Sequence, residues 1–228
     1  MIWLFVSAAQ IRDGRLTIDG PKGRHLARVR RVRPGEAGVA VADGQEHVFS
    51  VVSVEGSTVR ARLSESRPNR TELGHELVLL QAVLPSADFD AVLEAGTEVG
   101  VTRFVPVQAE RAVARPHADR RDRWRAVVEA AAEQSHRGRI PEVTAPMSLP
   151  EALRGIAGTP LVVLDPLAAQ RLHPMDASVA LAVGPEGGWT GDELAAMVEA
   201  GGQPFTLGPR ILRARLAPVA AAVILSAR

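Results

Sequence analysis

The chain has no cysteine. That excludes disulfides and thiolate metal sites, and it points to a reducing compartment, the cytoplasm. No apolar run approaches the roughly 20 residues of a membrane span. The apolar start, Met1-Ile2-Trp3-Leu4-Phe5-Val6, is too short and lacks both a basic lead and a small-residue cleavage site. It reads as a first strand rather than a signal peptide. The histidines (His25, His47, His75, His117, His136 and His173) show no close pair at ligand spacing, so no metal site is expected. Lysine is almost missing too: Lys22 stands alone among 27 basic side chains.

What is present suits a small domain followed by a medium one. The length is 228 residues and 46% of them are hydrophobic, enough for a core and against disorder. The net charge of +1 is unevenly spread. Residues 1–70 carry twelve basic and seven acidic side chains, whereas the remainder carries fifteen and nineteen. A basic first third points to a polyanion such as RNA. An arginine-rich genome would produce the same bias, and composition alone leaves both readings open.

The first seventy residues read as β. Gln45–Val54 alternates loosely with Val48, Val51 and Val54 as inward candidates, and Val59-Arg60-Ala61-Arg62-Leu63 alternates strictly. Turn signals at Pro34-Gly35-Glu36, Asp43-Gly44 and Glu55-Gly56-Ser57-Thr58 separate them, which suggests a small barrel. The polar stretch Ser64–Gly74 breaks the pattern and marks a boundary, with domains at 1–72 and 73–228. The second part alternates strand and helix. Leu77–Val83, Val101–Val107, Leu161–Leu164 and Val179–Val183 are short apolar runs that suit parallel strands covered on both faces. Helices are expected at Asp88–Val99, Asp119–Arg137, Asp192–Ala200 and Pro218–Ser226. The fold class is therefore α/β with a mostly parallel sheet, preceded by a β domain.

Chemistry concentrates in two segments. Val183-Gly184-Pro185-Glu186-Gly187-Gly188 follows a buried strand, and Thr190 with Glu193 has capping-box spacing for the next helix. Three glycines in five residues let the backbone approach a ligand closely. Phe205-Thr206-Leu207-Gly208-Pro209-Arg210-Ile211-Leu212-Arg213 repeats the arrangement of strand, glycine–proline bend and helix. Open α/β sheets hold ligands at the carboxyl ends of strands, where both bends would lie. Exposed backbone there can read an adenine edge, Leu207, Ile211 and Leu212 can wall the pocket, and Arg213 supplies a cation near its mouth.

The pair G-P-E-G-G and L-G-x-x-I-L-R resembles the SPOUT-class methyltransferases of the RsmE type. Further segments agree in order: His25–Glu36, Thr97-Glu98-Val99-Gly100-Val101, and Ala132-Glu133-Gln134-Ser135 with Arg137, Arg139 and Ile140-Pro141-Glu142. The resemblance implies a PUA-like barrel that binds RNA and a catalytic domain with a C-terminal trefoil knot. It implies S-adenosylmethionine as cofactor, a homodimer, and N3 of a uridine in 16S rRNA of the 30S subunit as target. Carried over, the cofactor residues are Leu164, Gly184, Pro185, Glu186, Gly187, Gly188, Leu207, Gly208, Ile211, Leu212 and Arg213. Arg213 is the candidate stabiliser of a uracil anion, and Glu186 the candidate proton acceptor or contact for the cofactor's cationic end. Arg24, Arg28, Arg30, Arg31, Arg33, Arg137 and Arg139 are the candidate RNA contacts.

Two departures stand out. Ala214-Arg215-Leu216-Ala217 replaces the family's usual T-E-T-A, and Leu84-Pro85-Ser86-Ala87 lacks its usual lysine. The first leaves room for a rival reading, an RNA-binding or ribosome-assembly protein with weak or lost transferase activity.

Overall fold

The computed structural model describes residues 1–115 and 120–227. The helix start expected at Asp119 lies outside them. Two compact units emerge: residues 1–72 together with 133–139, and residues 73–132 together with 140–228.

The first unit is a six-stranded mixed sheet. Its strands are β1 (Ile2–Phe5), β2 (Ile11–Arg12), β3 (Arg15–Ile18), β4 (Ala37–Ala42), β5 (Gln45–Glu55) and β6 (Thr58–Pro68), in the order β1-β4-β5-β6-β3-β2. β1 runs parallel to β4 and the other pairings are antiparallel. Asp-Gly pairs at 13–14 and 43–44 take the positive φ that tight hairpins require. Val59 and Ala61 face the core while Arg60 and Arg62 face water, as the strict alternation predicts.

The looser strand differs from expectation. A register shift between Val48 and Phe49 sends Phe49 and Val51 into the main core, with Leu16, Ile18 and Val59. Val48 packs instead with Trp3, Val39 and Val41 in a second cluster. β6 also continues through Ser64–Pro68, inside the polar stretch that marks the domain boundary in the sequence. Glu65–Pro68 pair with Gln45–Val48, and the side chains from Ser64 to Pro68 can be polar because they are exposed.

An all-β reading of this unit fails at Gly20–Arg30. Helix α1 (Gly20–Arg24) continues into a wider π-type turn, His25–Arg30. Pro21 suits the first turn of a helix, and Leu26 is buried. Gly23 is required because a Cβ there would collide with the carbonyls of Ser57 and Ile18.

Segment 133–139 closes this unit. Glu133 accepts hydrogen bonds from the Phe5 amide (3.2 Å) and the Lys22 ammonium (2.9 Å). The His136 ring stacks on Trp3 with centroids 4.4 Å apart.

The second unit is a parallel sheet clothed by helices. Its strands are β7 (Leu77–Ala82), β8 (Arg103–Gln108), β9 (Glu142–Val143), β10 (Met147–Ser148), β11 (Leu161–Leu164), β12 (Val179–Val183) and β13 (Gln203–Phe205). The order is β10-β8-β7-β12-β11-β13, with β9 also paired to β8. Helices are α2 (Ser86–Glu98), α3 (Arg121–Gln134), α4 (Leu149–Arg154), α5 (Gly191–Glu199) and α6 (Ala217–Ser226).

The continuous apolar runs do what parallel strands demand. Leu77, Leu79, Leu181 and Val183 face one core with Phe89, Trp124 and Leu225. Val78, Leu80, Ala180 and Ala182 face the other with Leu149 and Met197. Gly100, at φ 104, ends α2 as its position predicts.

Candidate active site

Every strand of the parallel sheet delivers its carboxyl end to the same edge. Three of these ends build a cleft. β11 ends at Leu164 and continues as Asp165-Pro166-Leu167, β12 runs into Gly184–Trp189, and the chain after β13 contributes Ile211, Leu212, Ala214 and Ala217. β11 lies between β12 and β13 and pairs with both, so its own exit loop forms the third wall. The cleft measures about 340 Å³, within the range of small-molecule sites. A smaller hollow of about 60 Å³ adjoins it and takes in Leu207, Gly208 and Arg210.

Local chemistry fixes the shape of the Gly184–Gly188 loop. The Gly188 amide donates to the Pro185 carbonyl at 2.9 Å, and Gly188 sits at φ 69. Gly184 has the Trp189 backbone and indole nitrogens 3.3 Å from where a Cβ would be. The capping box forms as its spacing predicts: the Glu193 amide donates to the Thr190 hydroxyl (3.2 Å), and the Thr190 amide to the Glu193 carboxylate (2.9 Å).

The second loop departs from expectation. No helix follows Gly208-Pro209 directly. The chain stays irregular through Leu216, and α6 begins at Ala217 with Pro218 in its first turn.

Of the proposed cofactor residues, Leu164, Gly184, Pro185, Glu186, Gly187, Gly188, Ile211 and Leu212 line the main cleft. Leu207 and Gly208 line the adjoining hollow. Arg213 lines neither. It is exposed, between Leu212 and Ala214. Glu186 is exposed at the cleft. Sequence reasoning missed Arg111, Asp165 and Trp189. Asp165-Pro166 after a buried strand is a turn signal that pointed to the second of these. Nothing local marked Arg111, whose partners lie 76 and 78 positions away.

Among the candidate RNA contacts, Arg24, Arg28, Arg30, Arg31 and Arg33 are exposed and form no ion pair among the described residues. Arg137 is a correction. It is only 3% exposed and donates to both carboxylate oxygens of Glu72, at 2.8 and 2.7 Å. A guanidinium so enclosed braces its own unit and is closed to RNA. Arg139 shares Glu72 at 3.2 Å but keeps 43% of its side chain exposed.

The charge reversal at Arg215 also finds its reason. Its guanidinium pairs with Asp88 of α2 at 3.1 Å, so it is held by a carboxylate outside the cleft lining. Leu84, where the family's lysine segment departs, is buried.

Residues 71–226 match the family described as the RNA methyltransferase domain. The ribosomal RNA small subunit methyltransferase E of Mycobacterium tuberculosis is 37% identical over 225 residues, 92% of this chain and 84% of that protein. The chain belongs to the ribosomal RNA small subunit methyltransferase E family. The member from Synechocystis is 34% identical over 229 residues, covering 96% of this chain and 75% of the relative. The crystal structure of the Neisseria gonorrhoeae member, bound to S-adenosyl methionine, superposes with a TM-score of 0.85 at 32% identity, over 96% of this chain and 95% of that one.

Proposed function

We propose that this chain is an S-adenosylmethionine-dependent methyltransferase of small-subunit ribosomal RNA, acting on N3 of a uridine in 16S rRNA. The observation that carries the reading is the three-loop cleft at the sheet edge, in a chain of this family. Its chemistry fits the cofactor. Bare glycine backbone stands opposite apolar walls from Leu164, Val183, Leu194 and Leu212, with Asp165, Glu186 and Arg111 as the charged groups. The Trp189 indole nitrogen is buried and has no hydrogen-bond partner among the described residues. When bound, the cofactor supplies an electrophilic methyl group on a sulfonium.

The protein's part is orientation and charge. The Gly184–Gly188 loop and the Ile211–Leu212 wall hold the reactants and exclude water. Arg213, with no acidic partner among the described residues, is free to stabilise the N3 anion of an unstacked uracil. Glu186 holds either the departing proton or the cofactor's ammonium. The exposed arginines of residues 24–33 hold RNA phosphates, and the trefoil knot implied by the resemblance belongs to the same reading.

A homodimer completes the proposal. α6 buries Pro218, Ala221, Ala222 and Leu225, yet Leu216 and Val223 stay 51% and 49% exposed. That open apolar strip suits a second copy, and light scattering that finds only monomer at micromolar concentration rejects it. A cytoplasmic setting follows from the substrate. No helix among the described residues is long and apolar enough to cross a membrane.

Nucleoside mass spectrometry of ribosomal RNA from a deletion strain tests the function, with loss of one N3-methyluridine as the expected result. Calorimetry of Gly187→Val tests the site. A Cβ at Gly187 would stand 3.3 Å from the Arg111 Cβ, so valine requires Arg111 or the loop to give way by a few tenths of an ångström, and cofactor affinity should fall by about tenfold or more. Unchanged affinity moves the site elsewhere.

A further inference from the structure

Arg111 lies on the strap that leaves β8, far from the glycine loop in sequence and against it in space. Its Nη1 donates to two carbonyls of that loop, Gly187 at 3.2 Å and Trp189 at 3.3 Å. Its aliphatic stem lies over Gly187, where the missing Cβ leaves room. The strap is tied down a second time. The Glu110 amide donates to Glu193 Oε1 at 2.9 Å, while Oε2 of the same carboxylate caps α5 through Thr190. A third anchor is apolar: Ala109 is buried in the core beneath the loop and Ala112 packs against it.

Glycine-rich loops owe their reach to missing side chains, and the same lack leaves them with many backbone states. Something outside the loop must select one. A guanidinium donating to two carbonyls of the loop, one on each side of Gly188, does this, because it fixes the peptide planes between Gly187 and Trp189. The loop's own contacts, the Gly188–Pro185 turn and the Thr190 cap, leave those two carbonyls unheld.

We infer that Arg111 is a positioning residue: it sets the shape of the Gly184–Trp189 loop through the Gly187 and Trp189 carbonyls, and so tunes cofactor affinity from the β8 strap. The inference rests on the reading that this cleft takes S-adenosylmethionine. It differs from direct recognition, in which the guanidinium grips the carboxylate of the cofactor's amino-acid end. Arg111 lines the cleft, so the two must be separated by experiment.

The test compares wild type, Arg111→Met and Arg111→Lys in the full chain. Binding is measured by calorimetry with S-adenosylmethionine and with 5′-methylthioadenosine, which lacks the amino-acid end. Loop order is measured by amide hydrogen exchange across residues 184–190 in cofactor-free protein. Arg111→Met should weaken both ligands in step, by about tenfold, and speed exchange across the loop. Arg111→Lys, which keeps the charge and one flexible donor, should recover part of both. Wild-type affinity in Arg111→Met overturns the inference. So does a loss confined to S-adenosylmethionine with unchanged exchange, which makes Arg111 a direct ligand. If the wild-type chain binds neither ligand, the cofactor reading fails, and the exchange comparison still decides whether Arg111 holds the loop.

Discussion

Arg213 separates two kinds of site residue, those that shape a cleft and those that stand at its edge. Leu212 before it and Ala214 after it line the cleft, whereas Arg213 is exposed. Its carbonyl accepts the Leu216 and Ala217 amides at 2.8 and 3.0 Å, which fixes its backbone, while its side chain is exposed with no acidic partner among the described residues. Charge placed where an anion develops is typically worth about 3–4 kcal/mol. Arg213→Ala should therefore cut turnover by about a hundredfold with the cofactor dissociation constant little changed. Raising the pH should restore part of the rate, since hydroxide then does more of the deprotonation. Equal losses in turnover and cofactor binding make it a cofactor ligand instead. Local sequence marked Arg213 and Glu186 because both sit inside dense motifs. It misjudged Arg137, whose partner Glu72 is 65 positions away. Nothing in the arginine's own neighbourhood distinguishes a buried brace from a surface cation.

The end of α3 and the segment after β6 stabilise one another through that pair. Burial alone raises the Glu72 pKa, but the Arg137 bond and charge, the Gly138 amide and Arg139 together outweigh it and hold the carboxyl below its ordinary range. The folded value thus lies below the unfolded one, about 4.3. The stabilisation is fully present above that unfolded value and is lost as pH falls through the lower folded value. Glu72→Gln strips a buried guanidinium of its carboxylate. It should cost about 2–4 kcal/mol near neutral pH, less than a fully buried pair because Glu72 keeps a wet edge. The variant should also lose less stability than wild type as pH falls below the ordinary glutamate value, because the wild-type carboxyl is held lower by its partners. Denaturant unfolding across that range checks both, and parallel wild-type and variant curves reject the assignment. Most elements were legible because their patterns are regular. α1 was not: Gly20-Pro21-Lys22-Gly23-Arg24 shows no helical stripe, and Gly23 answers to the carbonyls of Ser57 and Ile18 rather than to propensity.

The proposed RNA binding is tested on the full chain, since a cut near residue 73 separates residues 133–139 from the unit they belong to. Residues 133–139 belong with residues 1–72, so a shortened chain loses the partners of Glu133, His136 and Arg137. Substitution is the cleaner test. Arg28, Arg30 and Arg31 are exposed at the end of the α1 segment, and Arg31 ends it at φ 52. The triple alanine variant should bind rRNA more weakly while keeping cofactor affinity. Its log–log salt slope should flatten by about 0.7–0.9 for each phosphate that is no longer neutralised. An unchanged slope shows that these arginines are solvated surface and that the charge asymmetry has another origin.

The sequence by itself determined what depends on neighbours along the chain. Continuous apolar runs specified parallel strands buried on both faces, Thr190 and Glu193 specified the start of α5, and Gly184–Gly188 specified a loop of bare backbone. Tertiary structure decided what depends on neighbours across it. It inserted β11 between the two strands that lead into the glycine bends and made Asp165-Pro166 the third wall of the cleft. It brought Arg111 to the carbonyls of Gly187 and Trp189, and it turned Arg137 from an apparent surface cation into a buried brace. The physical reason is the range of the forces. Backbone propensity and capping act within about one helical turn, whereas hydrogen bonds and ion pairs act between any groups the fold makes adjacent.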